Sequence, residues 1–148
     1  FEGGFRVMED HSHNIWLTHN SGGQFVLSVI GEGREDYVEI LNDRVSYFFQ
    51  DSNHSMWLAA EKGLMAISLE EKTAVTIDKK KGNLGWQVLF EEDRHGRLWV
   101  IKNDTIEVLS KDRRQMKTIV TNRPIRWGNT IKDKRGIIWI GTTEGILL

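Results

Sequence analysis

The chain has 148 residues and a formal net charge of −1, a balance that excludes the net basic surface on which nucleic-acid binding rests. No stretch approaches the ~18 consecutive apolar residues of a membrane-spanning helix, so direct insertion into a bilayer is not expected. Without a cysteine there is neither a disulfide framework nor a thiolate zinc site, and six tryptophans against one proline point to heavy aromatic packing.

Along the chain one unit recurs. In the first copy Asp10 is followed by His13 and then by Trp16, which sits between Ile15 and Leu17, with Gly22 beyond. The second copy repeats the spacing with Asp51, His54, Trp57 between Met56 and Leu58, and Gly63. The third has Asp93, Gly96 and Trp99 between Leu98 and Val100, with Thr105 in place of the distal glycine. The fourth has Asp133, Gly136, Trp139 between Ile138 and Ile140, and Gly145. The tryptophans lie 41, 42 and 40 residues apart, a fixed period that marks a repeat architecture.

Within each copy the apolar runs are short, rich in β-branched and aromatic residues, and broken by Gly, Asn or Asp, which is strand and turn chemistry. The second copy divides into Val45–Gln50, Met56–Ala60, Leu64–Leu69 and Thr73–Asp78. Four strands per ~40–45 residues is the signature of a propeller blade. The fold class expected is all-β: a partial β-propeller of about four blades of four antiparallel strands, a fragment of a larger propeller. It forms one domain over 1–148, with blades near 4–41, 44–78, 85–121 and 126–148, the last incomplete. The aspartates are placed at the ends of first strands, where a carboxylate accepts backbone N–H bonds and fixes the turn. The residue three positions later needs φ > 0, which suits Gly96 and Gly136 better than His13 and His54, although His visits that region more than most. Each Trp falls on a second strand covered on both sides.

The fourth copy, from Ile131 through Asp133, Gly136, Trp139, Gly141 and Thr142 to Ile146, resembles the two-component regulator propeller repeat almost position by position. The other copies match more loosely, with Thr18-His19, Ala59-Ala60 and Ile101-Lys102 where the fourth has Gly141-Thr142. The resemblance implies a periplasmic sensor domain of a hybrid histidine kinase. Such domains usually precede an immunoglobulin-like domain and one membrane helix, and in many cases they sense breakdown products of complex polysaccharides. The start at Phe1 and the stop at Leu148 inside an apolar run read as fragment boundaries, leaving an apolar blade face bare at each end and favouring self-association through blade edges or faces.

Loops on rigid scaffolds carry ligand sites. Trp86 and Trp127 stand seven and six residues before their aspartates, with Arg123 and Arg126 flanking Trp127, Lys79–Lys81 preceding Trp86, and Arg44 before the second copy's first strand. Indoles stack on sugar faces while Arg supplies directed hydrogen bonds, so these residues are the candidate site for an oligosaccharide or other small ligand; capping of the blade core is the structural alternative for both indoles. The His11-x-His13 pair falls in a turn and suggests no metal. Asp10, Asp51, Asp93 and Asp133 recur once per copy, as structural groups do. Glu91 and Glu92 read as solvated charges at a strand end, and Lys111–Arg114 as a solubilising outer turn. No P-loop, dinucleotide fingerprint or Ser-His-Asp set is present, so neither cofactor nor catalytic residue is expected. A propeller enzyme (polysaccharide lyase or glycoside hydrolase) and a protein-interaction scaffold are the alternatives.

Overall fold

A computed structural model of the chain describes residues 6–68, 73–78 and 88–147, with the backbone alone at 68, 73–78 and 126–129. All described regular structure is β. The strands are β1 (Val7–Glu9), β2 (Ile15–Ser21), β3 (Gln24–Ile30) and β4 (Tyr37–Asn42), then β5 (Val45–Gln50), β6 (Met56–Ala60), β7 (Gly63–Ser68) and β8 (Thr73–Asp78). They continue with β9 (Leu89–Glu92), β10 (Leu98–Ile101), β11 (Thr105–Leu109) and β12 (Met116–Val120), and end with β13 (Ile125–Lys132), β14 (Ile138–Thr142) and β15 (Gly145–Leu147).

Each set is a separate antiparallel meander, β1-β2-β3-β4, β5-β6-β7-β8, β9-β10-β11-β12 and β13-β14-β15. The ranges read from the second copy coincide with β5, β6 and β8; its third strand begins one residue earlier, at Gly63, and Leu69 lies outside the described residues. The tryptophans occupy matching places in the ladders. Trp16 pairs Met8 and Val29, Trp57 pairs Phe49 and Ala66, Trp99 pairs Glu91 and Val108, and Trp139 pairs Ile131.

The chain divides into two compact units, Phe1–Gly85 and Trp86–Leu148. In the first, Trp16 and Leu27 of one sheet pack on Met56, Leu58 and Ala60 of β6, joined by Val45, Phe48, Met65 and Ile67. In the second, Ile101, Ile106 and Val108, with Trp99 beside them, pack on Ile125, Ile138 and Ile140. Side chains alternate across a strand, so in both units the tryptophan face of the earlier sheet meets the opposite face of the later one. That shared polarity follows from the repeat. All five residues of β6 are buried, as a strand covered on both faces should be. In β2 and β14 burial alternates with half-exposure instead. Apolar groups stay open on the outer sheet faces, with Ile131 66% and Ile146 64% exposed on the Trp139 side, and Val7 and Tyr37 exposed on the first sheet.

Candidate functional site

Four identical turns join the first two strands of each sheet. In each, the Asp N–H donates to the carbonyl four residues on, and the N–H three residues on donates back to the Asp carbonyl. The carboxylate completes the closure. Oδ1 of Asp10 accepts the N–H groups of Ser12 and Asn14, that of Asp51 those of Asn53 and Ser55, that of Asp93 those of His95 and Arg97, and that of Asp133 those of Arg135 and Ile137. Oδ2 then accepts the indole N–H of the same copy's tryptophan, at 2.9 Å for Trp16 and Trp57, 3.0 Å for Trp99 and 3.2 Å for Trp139. This last bond explains why the repeat needs an indole rather than any large ring.

The electrostatics follow from these bonds. Burial pushes the Asp10 carboxyl up, but hydrogen bonds from Trp16, Asn14 and Ser12 outweigh it, leaving the pKa below the ordinary aspartate value. Asp93 is likewise raised by burial and lowered further by Arg97, Trp99 and His95, for a net depression. The Ile137 N–H, with Trp139 and Arg135, brings Asp133 down to about 2. These carboxylates are anionic acceptors, not proton donors.

The residue in the left-handed conformation is His13 (φ 60), His54 (φ 65), Gly96 (φ 72) or Gly136 (φ 75). Neighbouring turns within a unit meet at this position. The His11 ring stacks on His54 with centroids 3.5 Å apart, and Arg94 lies so close to Gly136 that an added Cβ would fall 2.7 Å from the Arg94 Cβ. The residue just after one aspartate thus covers the left-handed residue of the next turn, and a flat imidazole tolerates there what an arginine stem does not. A side chain just before the second aspartate ties the turns further: Gln50 Oε1 accepts the His11 N–H at 2.9 Å, and Lys132 Nζ donates to the Glu92 carbonyl at 3.0 Å. His11 and His13 do not converge, since His13 pairs with Glu9; among the described residues no three His, Asp or Glu side chains gather as metal ligands.

Among the residues singled out for ligand binding, Arg44 and Arg123 lie on loops between strands. Arg44 lies over the Phe25 ring with 5.0 Å from guanidinium carbon to centroid, and Arg6 lies over Tyr47 at 4.1 Å, both cation–π contacts. Arg123 pairs with Glu144 at 3.3 Å, with both exposed. Asn103 and Asp104 carbonyls accept the Ile125 and Thr121 N–H groups, and the Pro124 carbonyl accepts from Thr143, so these loops do share one end of the second unit. Arg126 and Trp127 lie on β13, but their side chains are outside the described residues, as is all of Trp86 and the Lys79–Lys81 run. Arg44 belongs to the first unit, and Arg123, Arg126 and Trp127 belong to the second.

Two readings of the charged segments need correction. Arg113 is not a solubilising residue. At φ 61 its guanidinium turns inward to Glu92 at 3.2 Å, with side-chain exposures of 14% and 9%, and also donates to the Gly96 and Ser110 carbonyls. Glu92 is accordingly buried rather than solvated, and burial also raises the Glu91 pKa. A second buried pair, Lys102 with Glu107 at 2.8 Å, has no signal in the sequence, because nothing in the spacing separates Glu107 from the surface acids of an outward strand position.

Among the described residues the surface carries hollows, two of which bear on the site. One, of about 430 Å³, lies over Val29, Val38 and Ile40 of the first sheet beneath the Gly31–Asp36 turn. The other, of about 170 Å³, lies between the Asp93 and Asp133 turns and is lined by Arg94, His95, Arg97 and Trp99. The signal for the second was visible in the sequence: only the third copy has arginine both one and four positions after its aspartate.

Neither a family model nor a curated protein matches the chain. Solved structures do. Virginiamycin B lyase from Staphylococcus aureus is similar over 98% of this chain and 54% of its own, at 12% identity and a TM-score of 0.66. A gluconolactonase from Xanthomonas campestris is similar over 95% of this chain and 54% of its own, at 12% identity and 0.63. The extracellular domain of a hybrid two-component system from B. thetaiotaomicron matches over 95% of this chain but 19% of its own, at 14% identity and 0.69. The chain therefore spans about half the length of the two enzymes it matches and about a fifth of the sensor domain. At these identities the likeness establishes the fold, an all-β partial propeller whose sheets are blades.

Proposed function

We propose that this chain is part of the extracytoplasmic, periplasmic sensor domain of a two-component histidine kinase and binds a saccharide. The observation that carries the reading is the match of the Ile131–Ile146 repeat to the regulator-propeller pattern, joined to the likeness of the whole chain to the extracellular domain of a hybrid two-component system. In this reading the blades act as a rigid frame, each clasped by one aspartate and one indole, and the loops between blades meet the ligand. In the second unit Trp86 and Trp127 stack on sugar faces while Arg123 and Arg126 supply hydrogen bonds; Arg44, in the first unit, supplies its own separately. Self-association uses the sheet faces bearing Val7 and Tyr37 or Ile131 and Ile146, which leave large apolar side chains exposed.

A propeller enzyme is the second reading, favoured by the likeness to the lyase and the gluconolactonase. Against it, the carboxylates at Asp10, Asp51, Asp93 and Asp133 are each occupied by their own turn and indole, which leaves none of them placed for acid–base work on a substrate. The test is binding of a saccharide panel to the intact parent protein, with Trp86→Ala and Trp127→Ala variants. Saccharide binding without turnover, weakened at least tenfold by the variants, is the expected result. Turnover of the bound saccharide would establish the enzyme instead, and binding of no saccharide would refute the sensor reading.

A further inference from the structure

The geometry points to the hollow between the Asp93 and Asp133 turns as a seat for one acidic sugar ring, a carboxylate- or sulfate-bearing residue of a saccharide chain. This inference rests on the saccharide-binding reading above but places the contact at the turn end of the second unit rather than among the loops.

The hollow combines an apolar floor with a cationic rim. The half-buried Trp99 and Ile137 line the hollow; the Arg97 guanidinium stands over the Trp99 ring, 5.9 Å from its centroid, and the apolar surface left beside it takes sugar C–H groups. Arg94 and Arg97 stand exposed at the rim. Asp93 balances one of them through the Arg97 Nε contact at 2.6 Å. Arg94 has no acidic partner among the described residues; its Nε donates to His95 Nε2 at 3.1 Å. That bond leaves both terminal nitrogens of Arg94 available as a fork, the geometry that fits carboxylate and sulfate through two parallel bonds. It also assigns the His95 proton to Nδ1, so the neutral ring offers one further N–H.

The site is particular to this copy. The equivalent positions are His11 and Asn14, Ser52 and Ser55, and Lys134 and Ile137, so no other turn carries two guanidinium groups. Gly136 faces the hollow without a side chain, and a Cβ there would collide with Arg94. At about 170 Å³ the hollow is smaller than sites that enclose a drug-sized molecule, roughly 300–1,000 Å³, which suits one ring of a longer chain.

The experiment is calorimetric titration of the intact protein with a trisaccharide of galacturonic acid, its neutral methyl ester, and a sulfated disaccharide beside its desulfated form. Either acid is expected to bind at least tenfold more tightly than its neutral counterpart, and Arg94→Gln to remove that preference while leaving the indole spectrum of the folded protein unchanged. The two acids together identify which anionic group the fork prefers. Equal affinity for acid and neutral forms, or an Arg94→Gln variant that binds the acid as well as the native protein does, overturns the inference. If only neutral saccharides bind, this site fails while the sensor reading stands; if none binds, both fail.

Discussion

The indole N–H of Trp16 donates to Oδ2 of Asp10 across 2.9 Å, and both side chains are buried. The same aspartate closes the turn through Oδ1. One carboxylate therefore couples turn geometry to core packing, and the coupling is copied in every blade. Trp16→Phe keeps most of the packing but removes the donor. It is expected to cost about 1–3 kcal/mol, the range for an unmet buried polar group, read by urea unfolding.

Acid should loosen the blades in a defined window. The folded-state pKa values of Asp10, Asp93 and Asp133 lie below the ordinary aspartate value of 3.8, so the unfolded chain takes up protons first. The stabilisation is complete above 3.8 and disappears as pH falls through the folded values, about 2 for Asp133. Unfolding midpoints measured in steps from pH 5 to pH 2 should fall mainly below pH 4. In an Asp10→Asn variant that slope should be shallower.

His13 titrates with the opposite sign. Glu9 at 2.5 Å raises its pKa above 6.5, so the pair contributes below that value and is lost as pH rises through the folded value. Because both groups are exposed, the effect on stability is small. It is best read as an upward displacement of the His13 titration by NMR, removed by Glu9→Gln.

Substitution at the left-handed glycines should separate two costs. Gly96→Ala and Gly136→Ala both incur the left-handed penalty of about 1–2 kcal/mol. At Gly96 the new Cβ meets only the flexible Lys111 stem, whereas at Gly136 it meets the Arg94 Cβ at 2.7 Å. Gly136→Ala should therefore be worse by about 1 kcal/mol or more, the lower range for overpacking, measured by denaturant unfolding of the two variants side by side.

The neighbouring arginines of one charged run should behave very differently. Arg113→Ala breaks a largely buried pair with Glu92 and is expected to cost about 3–5 kcal/mol. Arg114 is exposed, and Arg114→Ala should stay within about 0.5 kcal/mol of the native protein. Thermal unfolding of both variants checks the contrast.

These cases show what could be read in advance. The Asp–Trp spacing placed the turns and second strands, because each recurs at a fixed distance and obeys local turn chemistry. The left-handed histidines were legible for the same reason, from their alignment with Gly96 and Gly136. Arg113 and Glu92 were not, since the contact joins residues 21 apart, one on β9 and one in the turn between β11 and β12, and a charged run alone carries no sign of which member folds inward. The Trp–Asp bond itself was hidden, because spacing reports that two residues recur together but not which atoms meet. For the candidate site, Arg44 and Arg123 fall on loops, and of the Arg94–Trp99 hollow the sequence carries the arginine pair of the third copy but not the neighbouring turn that closes it.

The pairing of each indole with its own aspartate is tested most directly by NMR of the indole N–H groups. The account predicts slow deuterium exchange at Trp16, Trp57, Trp99 and Trp139, with each resonance losing protection only when the aspartate of its own turn is replaced by alanine. Fast exchange at these four protons, or an Asp10→Ala change that leaves Trp16 protected, would contradict it.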